Sequence, residues 1–178
     1  MGAVPCPPPN GVPRGAARAR LGRSGAGAGA GWGQTLIHSK LNPVTDLPRL
    51  LRRRSPISGW GVYADQPIAE DTRIVEYKGE LVSQAEGWRR ETRYLPRQRI
   101  WIFTVNDRWV RDAAVGGNIA RYINHACSPN CYVDVVKRTI WILASRRIRT
   151  GEELTYDYNT DGAADIPCRC RPRCRRIL

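Results

Sequence analysis

From about residue 60 onward the apolar residues fall into short runs separated by turn formers. The runs are "GVYA" (61–64), "RIVEYKG" (73–79), "RIWIFTVN" (99–106), "WVRDA" (109–113), "CYVDVVK" (131–137) and "TIWILASRRI" (139–148). Each is rich in Val, Ile, Tyr or Trp and most are bounded by Gly, Asn, Asp or Ser, which predicts short β-strands. "SQAEGWRRETRYL" (83–95) predicts a helix, with a Ser at its start and its charges gathered on one face. "GGNIARYINHA" predicts one more helical turn, and "LPRLLRRRSPISGW" reads as a basic stretch entering a Gly-punctuated turn. No repeat period is evident. The pattern is that of a small, mainly β domain with little helix.

The first 46 residues differ in kind. Tracts such as "RSGAGAGAGWG" offer little apolar surface to offset the entropy of ordering, so a disordered tail is expected there. That segment lacks the continuous apolar core of a secretory signal, and "MGAVPC" has Cys where a myristoylation site needs Ser or Thr. No stretch approaches the roughly 18 apolar residues of a membrane span. A soluble protein inside the cell is the expectation. The net charge is +13, with five basic residues against one acid in 1–46, 19 against 13 in 49–160, and five arginines without an acid in the last eleven. Such a surface attracts nucleic acid non-specifically, or proteins that travel with it.

Chemistry concentrates in a few places. "INHACSPNC" (123–131) packs His125, Cys127 and Cys131 into nine positions, and "CRCRPRC" adds Cys168, Cys170 and Cys174. A Cys–His nucleophile would need an imidazole oriented by a third group and a Gly-rich or apolar nucleophile turn, and none surrounds Cys127. Cysteines so close together pair poorly with one another, and clustered thiolates in a reducing compartment more often hold zinc. Cys127 could join the three terminal cysteines in a closed four-sulfur site, which would also order a tail with little apolar content. The alternative is a set of free thiols near a disordered end. "SGWGVYA" (58–64) places two glycines about Trp60, allowing a sharp turn and close approach to a ligand, as ordinary hairpins also do. In "GEELTYDYN" (151–159) Tyr156 and Tyr158 would share one side of a strand, and Tyr77 lies in "EYKGE". Phenols so arranged line a cation channel or simply pack a core.

Taken in order, "SGWGVYA…EYKGE…NIARYINHACSPNC…GEELTYDYN…CRCRPRC" resembles the SET domain of protein lysine methyltransferases with its C-terminal post-SET segment, from about Arg52 to Cys174. The resemblance implies small curved β-sheets with a pseudoknot near the C-terminus, a catalytic domain over 47–160, and a zinc-ordered post-SET tail over 161–178. It implies S-adenosylmethionine as cofactor, held by Gly59, Trp60, Gly61, Trp101, Arg121, Asn124 and His125. Tyr158, Tyr77 and Tyr156 would be the catalytic tyrosines and Phe103 a wall of the lysine channel. Structural zinc would sit on Cys127, Cys168, Cys170 and Cys174, although three residues rather than the usual four separate Cys170 from Cys174. Tyr at 156, where the family has Phe or Tyr, implies mono- or dimethylation. The implied partner is a histone tail or another basic protein with an exposed lysine, taken up by a monomer, in the nucleus on chromatin if eukaryotic or acting on a host and in the cytoplasm if bacterial. The competing reading is a basic zinc module on chromatin or nucleic acid in which the catalytic features are vestigial.

Overall fold

Most of the Val-, Ile- and Trp-rich runs form strands where their composition predicts them. The computed structural model describes residues 46–178 and, upstream, only the backbone of Ala17–Arg18; the tail expected to be disordered otherwise lies outside the described residues. In chain order the strands are β1 (Ala17–Arg18), β2 (Leu50–Arg54), β3 (Trp60–Ala64), β4 (Arg73–Glu76), β5 (Glu80–Ser83), β6 (Ile102–Thr104), β7 (Trp109–Asp112), β8 (Asn124–His125), β9 (Cys131–Val136), β10 (Thr139–Ala144) and β11 (Thr155–Tyr156). One helix, α1 (Gln84–Tyr94), and two short 3-10 turns, Leu95–Arg97 and Ile119–Tyr122, complete the set. The architecture is mainly β, as expected. Among the described residues no helix is long and apolar enough to cross a membrane.

The strands form four small sheets, ordered β1-β6-β7-β5, β4-β10-β9, β11-β8 and β2-β3. β10 is the middle strand of three, antiparallel to both neighbours, and Ile140, Trp141, Ile142 and Leu143 are all buried. A strand covered on both faces reads as a continuous apolar run, which explains "TIWILA". Ile140, Ile142 and Ala144 on one face join Val62, Ile74, Phe103, Ile123 and Leu154 in one core.

α1 begins at Ser83, whose Oγ accepts the Glu86 N–H at 3.3 Å. Its outer face carries Arg90, which donates to Glu80, Glu86 and Asp112. Gly87 and Glu91 are its buried residues, and any side chain at 87 would strike Val110. A buried Glu on that face breaks the expected segregation of charge.

Two strands escape the pattern. β2 is "LLRRR", read above as a basic stretch, yet it pairs antiparallel with β3 from Leu50↔Ala64 to Arg54↔Trp60. Cross-strand stacking holds it, with the Arg52 and Arg54 guanidiniums 4.7 and 4.4 Å from the Trp60 ring centroid. The helical turn expected in "GGNIARYINHA" ends at Tyr122. Beyond it Asn124–His125 extend and pair in parallel with β11, Thr155↔Asn124 and Tyr156↔His125. This pairing of distant segments occupies the place of the expected pseudoknot. Asn130 braces it: its Oδ1 accepts the Thr155 N–H at 2.8 Å, and its Nδ2 donates to the Glu153 carbonyl at 2.8 Å and to Glu152 at 3.0 Å.

Beyond Asn159 the C-terminal segment folds back on itself. Cys168 N–H bonds Arg176 O at 2.9 Å, Leu178 N–H bonds Ile166 O at 2.8 Å, and Cys168 and Leu178 are buried.

Candidate active site

Four aromatic rings from three parts of the chain meet beside the β8/β11 ladder. Tyr77, just after β4, lies 5.2 Å from Phe103 on β6; Phe103 lies 6.0 Å from Tyr156 on β11; Tyr156 lies 4.8 Å from Tyr158. Tyr77 Oη donates to Trp101 O at 3.1 Å and Tyr158 Oη to Ile123 O at 2.8 Å, so both hydroxyls are aimed by backbone carbonyls. Burial holds all three phenols well above their usual range, and the neighbouring tyrosines reinforce this for Tyr77 and Tyr156. They stay protonated at any physiological pH. A group that keeps its proton orients a ligand and does not act as a base.

Tyr158 also lines a cavity of about 560 Å³. Gly59, Trp60, Trp101, Arg121, Asn124 and His125 line that same cavity, so six of the seven residues expected around a cofactor converge on it. The seventh, Gly61, lies outside the lining. Any side chain there would run into the Glu153 carboxylate, so its smallness serves that neighbour. Gly59 sits at φ +47°, in the left-handed region that favours glycine. Pro167, Cys168, Arg169 and Leu178 form part of the wall, so the C-terminal segment builds the cavity as well as following it.

Asn124 is held more tightly than a free ligand donor would be. Its Nδ2 donates to Glu153 Oε1 at 2.8 Å and lies 3.1 Å from both Ser55 Oγ and Trp60 O. Glu153 in turn accepts from Ser55 at 2.8 Å and from Tyr63 at 3.0 Å. Sequence reasoning missed Glu153, Ser55 and Asn130. The quoted blocks contain Glu153 and Asn130, but an acid or amide in a polar loop carries no local sign of burial. The Arg121 guanidinium donates to Ala113 O and Tyr122 Oη, while its buried Nε has no protein partner.

His125 joins the two halves of the site. Its Nδ1 accepts the Tyr158 N–H at 3.2 Å, which puts the ring proton on Nε2, 3.5 Å from Cys127 Sγ. Burial lowers its pKa to about 4, so the ring is neutral and its 3.5 Å approach to Asp157 is not an ion pair at neutral pH. The nearness of Cys127 and His125 does not make a nucleophile, because burial pushes the Cys127 thiol up.

Cys127 faces the three terminal cysteines instead. Its Sγ is 3.7 Å from Cys174 Sγ and 4.0 Å from Cys168 Sγ, and with Cys170 the four sulfurs lie within 4.8 Å of one another. Zinc–sulfur bonds of about 2.3 Å require tetrahedral edges of about 3.8 Å. The shortened Cys170–Cys174 spacing is therefore accommodated, with Arg173 at φ +58° turning the chain. Cys131 is buried apart from this group, its thiol pushed up to about 12 by burial.

A family model described as "SET domain" matches residues 59–159. The chain is 42% identical over 136 residues to "Histone-lysine N-methyltransferase, H3 lysine-4 specific" of Mycosarcoma maydis, covering 70% of this chain and 9% of that protein. It is 43% identical over 134 residues to human "Histone-lysine N-methyltransferase 2D", covering 70% and 2%. To Drosophila melanogaster "Histone-lysine N-methyltransferase trr" it is 37% identical over 176 residues, covering 89% and 7%. The chain thus spans a small part of each of these relatives. Among solved structures it resembles "ctPRC2 in an autoinhibited conformation bound to S-adenosylmethionine", at TM-score 0.60 and 32% identity over 65% of this chain and 16% of that one.

Proposed function

The chain belongs to the SET-domain family, and from that membership we propose that it transfers methyl groups to a lysine side chain of a histone or another basic protein. The relatives named as H3 lysine-4 specific make a histone tail the first substrate to try, and chromatin the first place to look. One observation carries the reading: Tyr158 is at once a wall of the 560 Å³ cavity and a member of the four-ring cluster. A cofactor in the cavity and an amine between the rings would therefore meet at its hydroxyl.

The cavity suits S-adenosylmethionine. It is lined by the backbone turn at Gly59 and Trp60 and by the rings of Trp101 and His125, and the partnerless Nε of Arg121 offers a buried donor for a carboxylate. Bound there, the cofactor supplies a methyl group on an electrophilic sulfonium sulfur. The residues of this chain prepare the amine. A free lysine has a pKa of about 10.4 and is protonated at pH 7. Entering a dry aromatic passage disfavours the ammonium form, so the proton is left to solvent at the mouth. Tyr77 and Tyr158, themselves held neutral, then fix the direction of the lone pair, and catalysis rests on alignment. Tyr156 narrows the passage with a hydroxyl, which favours mono- or dimethylation. Cys127, Cys168, Cys170 and Cys174 would hold one structural zinc, and His125 Nε2–H supports the Cys127 thiolate.

The joint presence of cavity, tyrosines and Arg121 favours the enzyme over a vestigial zinc module. The basic surface supports non-specific nucleic-acid contact. The expected monomer finds no support in the solved structures the chain resembles, among them chains of a Polycomb Repressive Complex 2. The test is transfer of tritiated methyl from the cofactor to histones, with Tyr158→Phe as control. Transfer that the variant abolishes is the expected result; equal counts from both proteins would refute the assignment.

A further inference from the structure

β6 has two edges, and only one of them belongs to β7. Ala113 N–H donates to Trp101 O at 3.1 Å and Val105 N–H to Trp109 O at 3.0 Å, so residues 101 and 105 turn their bonding groups toward β7. Bonding alternates along an antiparallel pair, which sends the N–H and C=O of Ile102 and Thr104 the other way. Unpaired groups along such an edge accept a further strand. Here that strand is β1, which pairs in parallel, Ala17↔Phe103 and Arg18↔Thr104.

The two faces of β6 lead to different places. Phe103 packs in the main core and in the four-ring cluster, 5.2 Å from Tyr77 and 6.0 Å from Tyr156. Ile102 packs the other way, with Val82, Val110 and, from α1, Tyr94. Residues paired across a ladder stand on the same face of the sheet. The position opposite Phe103 is therefore on the ring-cluster side, and the position opposite Thr104 is on the α1 side. An extended segment taken up along this edge would present a lysine to the rings from the first of these, and Ala17 holds it.

The composition of the tail fits that place. Before Lys40 it has Arg14, Arg18, Arg20 and Arg23, with neither an acid nor a lysine. It is basic, like the substrate proposed above, but has nothing there to methylate.

We infer that the outer edge of β6 is an interaction surface for an extended basic segment, and that the chain's own segment through Ala17–Arg18 occupies it as a pseudosubstrate, with Ala17 where the target lysine would stand. The inference rests on the methyltransferase reading. An occupant on the same chain competes at a fixed effective concentration, so an added substrate must displace it before its lysine reaches the rings.

The seating is tested without any chemistry, by residue-resolved amide hydrogen exchange on the full chain, wild type against Ala17→Pro. The proline removes a strand N–H and lies outside the core cluster. The Thr104 amide, turned toward β1, is expected to exchange at least about tenfold faster in the variant, while that of Val105, bonded to β7, changes less than about twofold. Equal exchange at Thr104 overturns the seating. The register is tested by a lysine walk: Ala16→Lys, Ala17→Lys and Arg18→Lys are each incubated with S-adenosylmethionine over a range of protein concentrations, and the introduced lysine is scored by mass spectrometry. Ala17→Lys alone is expected to be methylated, at least tenfold above the other two and at a rate independent of protein concentration. In the histone assay Ala17→Pro is expected to lower KM at least threefold. No methylation of Ala17→Lys by protein that methylates histones, equal methylation of the three variants, a rate that scales with concentration, or an unchanged KM overturns the pseudosubstrate. A chain that leaves histones unmethylated fails the methyltransferase reading instead, and the exchange result still decides whether the edge is occupied.

Discussion

Replacing Glu91 by Gln should stabilise the protein, and more so at high pH. The unfolded glutamate ionises near pH 4.5, while in the fold it keeps its proton to about pH 7, chiefly because burial disfavours the carboxylate. Between those values the unfolded chain binds fewer protons than the native one, so stability falls as pH rises, by up to about 1.4 kcal/mol per unit. The whole loss is about 3 kcal/mol; little of it has been incurred at pH 5 and nearly all of it by pH 8. Gln has nearly the same shape and does not titrate. The gain from Glu91→Gln should therefore be about 2–3 kcal/mol greater at pH 8 than at pH 5, or roughly 10 °C in Tm for a domain of this size. Thermal melts of both proteins at pH 5, 6, 7 and 8 read it directly. A pH-independent difference, or a destabilised variant at pH 8, would refute the burial of an unpartnered carboxylate.

Other expectations follow from the same geometry. Reduced protein should carry about one zinc per chain by metal analysis, and Cys127→Ser should lose it together with the Tm contribution of the C-terminal segment; no bound metal in the wild type would refute the site. Tyr156→Phe should shift the product toward trimethyl-lysine by mass spectrometry without losing transfer, and an unchanged product distribution would exclude the hydroxyl as the limit. Asn130→Ala strips three bonds from buried or half-buried groups around β11 and should cost about 3 kcal/mol in urea unfolding; a loss under 1 kcal/mol would show that water replaces them.

Much of this was legible one residue at a time. β-branched runs at 131–136 and 139–144 announce strands because burial and local preference agree there, and Ser83 announces α1 because a cap acts within four residues. β2 was not legible, because its arginines are held by Trp60 across a turn rather than by their own preference. Nor were the partners of Asn124. A single amide in "INHAC" looks like a ligand donor, and only the approach of Glu153 from 29 residues away shows it braced by protein. The cysteine spacing pointed to four candidate ligands but not to whether they meet, since the distance that matters runs from Cys127 to residues more than forty positions away. Glu91 is the opposite case: its place in a charged helix suggested a solvated face, and the tertiary contacts of Gly87 reverse that.

The β8/β11 ladder contains four residues; Asn124 and His125 line the cavity and Tyr156 belongs to the ring cluster. A ladder that short has too few backbone bonds to hold itself. Its order comes from outside: Asn130 grips Thr155, Glu153 and Ser55 grip Asn124, and His125 is clamped between the Tyr158 amide and the Cys127 sulfur. The last of these clamps is conditional. A metal held by the four sulfurs would fix Cys127 and favour its thiolate, to which His125 Nε2–H would then donate, leaving Nδ1 free to accept from Tyr158. Cys168 belongs to the same sulfur cluster and to the cavity wall. The position of the Tyr158 hydroxyl and the closure of the cavity therefore depend on one event, the folding back of the C-terminal segment, and a domain whose core is complete by Tyr156 still has no finished active site until its last eleven residues are in place.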